Sequence, residues 1–197
     1  MQPIEAVHLV ADYCVYSLSA SPSDTLQGQL RPSLSPLTLV PLHLPSTWPP
    51  ALYVINAASL SKPHAMQQLT ADLGGYGIDV AVISESHLIS IHTNNMFNIP
   101  GYQLFRRDRL RRKGGGVALY ARSEQNAVEL TFKGDNVAFE LLWIKVHCGT
   151  RNVIMGVLYH PPKPSYKTEL LLDYIEAALD DIALKHTEAV VVLAGEW

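Results

Sequence analysis

The sequence predicts a layered domain that mixes helices and strands, α/β or α+β in class. Short apolar runs rich in branched and aromatic residues recur along it, as strands do. Two longer stretches place apolar residues at helical spacing. Glycine and proline separate these elements, and 48% hydrophobic with 17% charged residues over 197 positions is the composition of a globular chain of about one domain.

Taken in order, Leu52 to Ile55 is a short strand closing on Asn56. Residues Pro63 to Leu73 predict a helix with Met66, Leu69 and Leu73 on one face and a stop at Gly74 and Gly75. Ile78 to Ser84 is a second apolar strand, closing on Glu85, and Tyr102 to Phe105 is a third. Gly114, Gly115 and Gly116 predict a turn, from which Val117 to Ala121 leads away. Phe139 to Val146 and Val153 to Tyr159 are longer strands, and Pro161, Pro162 and Pro164 break the chain after them. Tyr166 to Lys185 predicts a helix with Leu170, Leu171, Tyr174, Ile175, Ala178, Leu179 and Ile182 on its buried stripe and Ser165 as N-cap. Ala189 to Ala194 is the last strand.

Residues 1–50 differ in texture. They hold eight prolines (Pro3, Pro22, Pro32, Pro36, Pro41, Pro45, Pro49 and Pro50) and four charges (Glu5, Asp12, Asp24 and Arg31). A flexible leader rich in proline, serine and leucine is expected there, with a short helix around Ile4 to Tyr16 as the alternative, and the domain is expected over residues 51–197. The start lacks the basic cluster of a signal peptide, and no apolar run approaches the roughly 18 residues of a membrane helix. Cys14 and Cys148 cannot form a disulfide scaffold, so an intracellular location, nuclear or cytoplasmic, is expected.

With 15 basic and 18 acidic residues the net charge is −3, so any nucleic-acid surface must be local. The segment from Arg106 to Lys113 supplies one: Arg106, Arg107, Arg109, Arg111, Arg112 and Lys113 are basic. Such a segment can neutralise backbone phosphates, and it can equally be a solvated hairpin or a localisation signal. Asn56, Glu85, Tyr159 and Glu196 each close or follow an apolar strand. Ligands of layered α/β folds bind beyond the carboxyl ends of strands. An amide, two carboxylates and a phenol gathered there suit a hard cation and a phosphate. His147 and Cys148 read as packing or loop residues, the eight histidines show no zinc spacing, and the triple glycine lacks the spacing of a nucleotide cradle.

The motifs also carry a resemblance. In order they are Asn56-Ala57-Ala58-Ser59-Leu60, Asp79 to Leu88 around Ser84-Glu85-Ser86, and Ile99-Pro100-Gly101-Tyr102-Gln103-Leu104-Phe105-Arg106. Then come Gly114-Gly115-Gly116-Val117-Ala118-Leu119-Tyr120, Glu140 to Ile144, Gly156-Val157-Leu158-Tyr159-His160-Pro161-Pro162 and Gly195-Glu196-Trp197. Over about residues 51–197 this resembles the apurinic-type endonuclease domain of non-LTR retrotransposons, within the endonuclease/exonuclease/phosphatase superfamily that includes DNase I. The resemblance implies a four-layer α/β/β/α sandwich of DNase I-like type and Mg²⁺-dependent hydrolysis of DNA, leaving a 3′ hydroxyl that primes a reverse transcriptase encoded downstream. It implies that Glu85 binds the metal, that Asn56 lies near metal and phosphate, that Tyr159 contacts phosphate, and that the Arg106–Lys113 segment lies near the DNA backbone. Glu140 matches a frequent acidic position to which no role is given.

The departures lower the expected activity. The family's Gly-Asp-Phe/Trp-Asn motif reads Gly195-Glu196-Trp197, and the later aspartate and Ser-Asp-His motifs are not in the sequence. Ala57-Ala58 stands where Ala-Arg is usual, and His160 where an arginine is common. The expectation is an incomplete sandwich holding the first sheet, with an apolar face left bare. Such a chain would be poorly soluble or partly molten and would not nick DNA alone. Two other readings stay open: a non-catalytic nucleic-acid-binding module, and a non-functional gene remnant.

Overall fold

A computed structural model describes residues 5–7, 15–18, 48–110 and 112–197. Ten strands and two α-helices occur among them, with short 3-10 turns at Asn94–Phe97 and Ser123–Gln125. The strands are β1 (Glu5–Val7), β2 (Val15–Leu18), β3 (Leu52–Asn56), β4 (Val80–Ser84), β5 (Tyr102–Arg107), β6 (Val117–Arg122), β7 (Val128–Leu130), β8 (Glu140–Cys148), β9 (Arg151–Tyr159) and β10 (Val190–Glu196). Helix α1 spans Ala65–Gly75 and α2 spans Thr168–Lys185.

The strands form two sheets, one ordered β3-β4-β6-β5 and one ordered β1-β2-β10-β9-β8-β7. Each sheet contains one parallel pair joined through a helix: β3 and β4 through α1, β9 and β10 through α2. The remaining pairs are antiparallel. A parallel pair needs a crossover, and a helix in that crossover buries its apolar stripe on the sheet it spans.

Three apolar clusters define the layers. Between the sheets, Val80, Val82, Val117, Leu119 and Ala121 of one pack against Leu142, Ile144, Val146, Met155, Val157 and Ala194 of the other. Leu69 and Leu73 of α1 cover the outer face of the four-stranded sheet at Ala81, Ile83, Ala118 and Tyr120. Leu171, Tyr174, Ile175, Ala178 and Ile182 of α2 cover Leu141, Trp143, Ile154 and Leu158 of the six-stranded sheet. The order is therefore α/β/β/α.

This corrects the expectation that only the first sheet is present and that its inner face is bare. Strands β8, β9 and β10 are the partner layer, and they seal the face with side chains that are almost wholly buried. The predicted aggregation through an open face loses its physical basis.

Local details also differ from the sequence reading. Helix α2 begins at Thr168, with Lys167 and not Ser165 at the cap position and no side-chain cap bond. Leu170 points to solvent. Arg106 and Arg107 belong to strand β5, not to a loop. Strands β1 and β2 lie within the stretch read as a leader, β2 pairing antiparallel with β10. The rest of that stretch up to residue 47, including most of the alternative helix, lies outside the described residues.

Two glycines show how closely the layers are packed. Gly195 has φ near +138°, and a Cβ there would drive into the Leu158 carbonyl of the neighbouring parallel strand. Gly74, at the end of α1, has open space where a Cβ would stand, with nothing within 4 Å. Gly195→Ala is expected to lower stability by roughly 3 kcal/mol or more through backbone strain and overpacking. Gly74→Ala is expected to raise it by about 0.5–1 kcal/mol. Urea denaturation of the two variants checks both signs.

Burial pushes the phenols of Tyr53, Tyr166 and Tyr174 up to about 12, helped at Tyr53 by a 3.0 Å bond to Asp72. Tyrosines of the unfolded chain ionise near 10. Between those values the folded state keeps protons that the unfolded state has lost, so stability is full below pH about 10 and falls as pH rises through about 12. Thermal melts across that range, read beside tyrosinate absorbance, should show unfolding and ionisation arriving together.

Candidate active site

The two parallel pairs deliver four side chains to one place. In β3 and β4, Asn56 lies opposite Ser84, and Glu85 follows directly. In β9 and β10, Tyr159 lies opposite Glu196. Because the inner faces of the sheets pack together, these carboxyl ends meet across the sandwich. Asn56 Nδ2 donates to Glu196 Oε2 at 2.7 Å, and Ser84 Oγ donates to the same oxygen at 3.4 Å. Tyr159 donates its hydroxyl to Glu85 Oε1 at 2.8 Å. The four residues singled out at strand ends are thus brought together, paired across the sheets.

The backbone is forced into shape here. Ala58, Ser59, Glu85 and His87 all have positive φ, which costs an L-residue energy and persists only where the surroundings hold it. Ser59 and Leu60 donate N–H groups to the carbonyls of Glu85 and Ser86 from one side. Ser86 and His87 donate theirs to Gly116 and Gly115 on the other. The Asn56 amide is itself oriented, its Oδ1 accepting from the Ala58 N–H at 2.9 Å.

The triple glycine has a reason beyond turning the chain. A Cβ at Gly115 would occupy the Arg109 guanidinium, and one at Gly116 would sit 2.8 Å from Ser86 Oγ and 3.3 Å from the Arg107 carbonyl. The glycines let Arg109 and the Glu85 loop lie against the backbone.

Glu140 acquires a role from the structure. It is 4% exposed, accepts from Arg109 Nε at 2.6 Å through Oε1, and accepts the Gly116 N–H through Oε2. The held guanidinium lies over the Tyr159 ring, 5.3 Å from its centroid. Burial and the bond to Glu85 push the Tyr159 phenol up to about 12, with Arg109 opposing. Tyr159 is therefore a neutral donor at neutral pH.

The basic segment is largely spent internally. Arg106 pairs with Asp108 at 3.0 Å, and Arg107 makes two bonds to Asp135 at 2.7 and 2.6 Å. Arg109 belongs to Glu140. Arg112 and Lys113 are exposed, Arg112 donating to the Lys163 carbonyl at 3.3 Å, while Arg111 lies outside the described residues. A cavity of about 440 Å³ opens beside the Glu140–Arg109 pair, lined among others by Arg112, Pro161, Lys163 and Tyr166.

Sequence reasoning misses the site roles of Ser84 and His87 and gives Arg109 a different one. Arg109 reads there only as one charge of a basic run, and Ser84 as the end of a strand. His87 lies beside Glu85, its Nε2 3.4 Å from Glu85 Oε2. Of the three, His87 alone carries a signal, standing two residues after a carboxylate at a strand end. His147 is exposed and bonds to Asn152, whereas Cys148 is buried and its Sγ accepts from Gln125 Nε2 at 3.8 Å, so both sit in β8 as structural residues.

For a divalent ion the donors fit. Glu85 is a partly exposed carboxylate with Oε1 held by Tyr159 and Oε2 turned to His87. A hard cation of Mg²⁺ type needs only one or two such oxygens beside water and substrate phosphate. No group of three or more acidic, histidine or cysteine side chains at metal-binding spacing occurs among the described residues. No helix among them is long and apolar enough to cross a membrane.

Glu140 sets up a direct test. Removing one partner of a buried, hydrogen-bonded charge pair costs about 3–5 kcal/mol. Glu140→Gln should therefore destabilise the protein by roughly 3 kcal/mol. Lys145→Gln, at an only partly buried position of the same strand, should stay within about 0.5 kcal/mol in the same denaturation experiment.

The chain shares its fold with known structures. It superposes on the endonuclease domain of TRAS1, a telomere-specific non-LTR retrotransposon, with a TM-score of 0.52 and 13% identity over 75% of this chain and 60% of that one. The human Nocturnin catalytic domain with bound sulfate matches with a TM-score of 0.50 and 12% identity over 77% and 65%. D. rerio TDP2 in complex with a single-strand DNA product matches at 0.49 and 16% over 73% and 58%. The chain thus spans less than two thirds of the length of these structures. No curated protein sequence matches it. Residues 39–195 match the endonuclease/exonuclease/phosphatase family, and the chain belongs to that family.

Proposed function

We propose that the chain is the metal-dependent part of a DNA phosphodiesterase of the non-LTR retrotransposon endonuclease type. One observation carries this reading: Asn56–Glu196 and Glu85–Tyr159 pair across the ends of two parallel strand pairs. An amide, a neutral phenol and two carboxylates then lie together at one end of the two sheets. The order of the retroelement motifs in the sequence supports the branch.

The chemistry assigned to these residues is hydrolysis. A water oxygen forms a bond to phosphorus, the bond from phosphorus to the 3′ oxygen breaks, and the products are a 3′ hydroxyl and a 5′ phosphate. A bound Mg²⁺ would neutralise the charge developing on the phosphoryl and leaving oxygens. Glu85 would hold that ion. Tyr159 carries its proton at the hydroxyl and can pass the bond it makes to Glu85 to a phosphoryl oxygen. The Asn56 amide orients Glu196, whose carboxylate would accept the water's proton. Arg112 and Lys113 would meet the DNA backbone. A 3′ hydroxyl on a nicked strand is a primer end, so a reverse transcriptase is the partner this reading implies.

Low turnover by the 197-residue chain is part of the proposal. Glu196 is one methylene longer than the family's aspartate, and a displacement near 1 Å can cost about 10² in rate. Its Oε2 is also engaged by Asn56 and Ser84.

Relaxation of supercoiled plasmid with Mg²⁺ provides the test. Wild-type protein should nick near background, Glu196→Asp about tenfold or more faster, and Glu85→Ala in that background not at all. Salt-sensitive DNA binding that ignores Glu85→Ala, with no nicking by either form, would replace the enzyme reading with that of a binding module.

A further inference from the structure

His87 stands against the carboxylate to which the metal has been assigned. Its Nε2 lies 3.4 Å from Glu85 Oε2, and the two side chains are 30% and 25% exposed. That separation is long for a direct N–H···O bond, which falls at about 2.7–3.2 Å. It also matches the separation of two donors that share an ion. Ligands bound at about 2.1 Å lie roughly 3.0 Å apart at a right angle and roughly 3.4 Å apart at a tetrahedral angle.

The surroundings hold this spacing. Tyr159 fixes the other Glu85 oxygen at 2.8 Å. Both Glu85 and His87 have positive φ, at 50° and 52°, so the chain bends twice within three residues, and their side chains meet. The His87 N–H is tied to the Gly115 carbonyl at 2.8 Å. The imidazole lies over Gly114, where a Cβ would stand 3.4 Å from Nε2, so the glycine leaves that nitrogen room.

We infer that His87 Nε2 and Glu85 Oε2 together ligate the divalent ion, biasing the site from Mg²⁺ toward an ion that takes nitrogen as well as oxygen, such as Mn²⁺ or Zn²⁺. Imidazole adds little for Mg²⁺, a hard cation that seeks oxygen, and more for ions later in the first transition row. Water and substrate oxygens would fill the remaining positions. The inference rests on the metal role proposed for Glu85 and adds a nitrogen ligand and a metal preference.

Mn²⁺ bound to the full chain and read by pulsed electron paramagnetic resonance tests it without any turnover. Wild-type protein should show the ¹⁴N coupling of a directly bound imidazole. Both His87→Gln and His87→Phe should abolish it and lower the ratio of Mn²⁺ to Mg²⁺ affinity by about tenfold in calorimetry. Using two variants, each checked by circular dichroism, guards against one failing to fold. Mn²⁺ that binds, is lost on Glu85→Gln and shows no ¹⁴N coupling would overturn the inference while leaving the proposed function intact. No Mn²⁺ binding at all would overturn both. Coupling lost on His87 substitution, in a protein that never cuts DNA even as Glu196→Asp, would uphold the ligand pair and remove the nuclease reading.

Discussion

The burial of one sheet against the other is the constraint on which the rest depends. Each sheet has a face that is almost wholly apolar, and neither could stand in water. Pressing them together sets the relative position of β3, β4, β9 and β10, and so of every side chain at their ends. The outer helices follow from the same requirement, since each parallel pair needs a crossover and each sheet needs a lid. The site is a by-product of that closure: no single element contains it.

Against this apolar frame the charged groups are arranged sparingly. Glu140 is a buried carboxylate with both oxygens engaged, and its two bonds tie a cation and a backbone amide to strand β8. Through Arg109 its influence reaches the Tyr159 ring, and through Gly116 it reaches the bend that carries Glu85 and His87. Arg107 is used in the same way, as a fastener between β5 and the segment around residues 135–140. A segment that reads as a phosphate-binding surface is in good part internal bracing.

What can be read from the chain follows the range of the interactions. Strands β3, β4, β6, β8, β9 and β10 are legible to within a few residues because runs such as Val80–Ser84 and Val153–Tyr159 declare themselves locally. The strand β7, only Val-Glu-Leu, carries no such signal. The strand-end residues are legible as a set, because a polar residue after an apolar strand is a local pattern. The fate of Arg107 and Arg109 is not, since their partners lie 28 and 31 residues away. The second sheet is hidden for a related reason. Its strands are visible, but which sheet a strand joins is decided by tertiary pairing, as when β10 aligns with β9 and not with β4. His87 carries only a faint local signal, two residues after a strand-end carboxylate, because its position beside Glu85 depends on a pair of backbone angles.

The bond from Asn56 to Glu196 spans 140 residues of sequence. A ribosome adds about 5–20 residues each second, so several seconds pass between the appearance of its two ends. During that interval the four-stranded sheet can form, but the opening it will share with β9 and β10 does not yet exist. Closing so long a loop is also among the slower events available to a folding chain. Such a protein gains this junction only once Glu196 has been made, and loses it at the first separation of its layers. A partly built or partly unfolded copy is left with Glu85 and Glu196 apart and without their partners Tyr159 and Asn56.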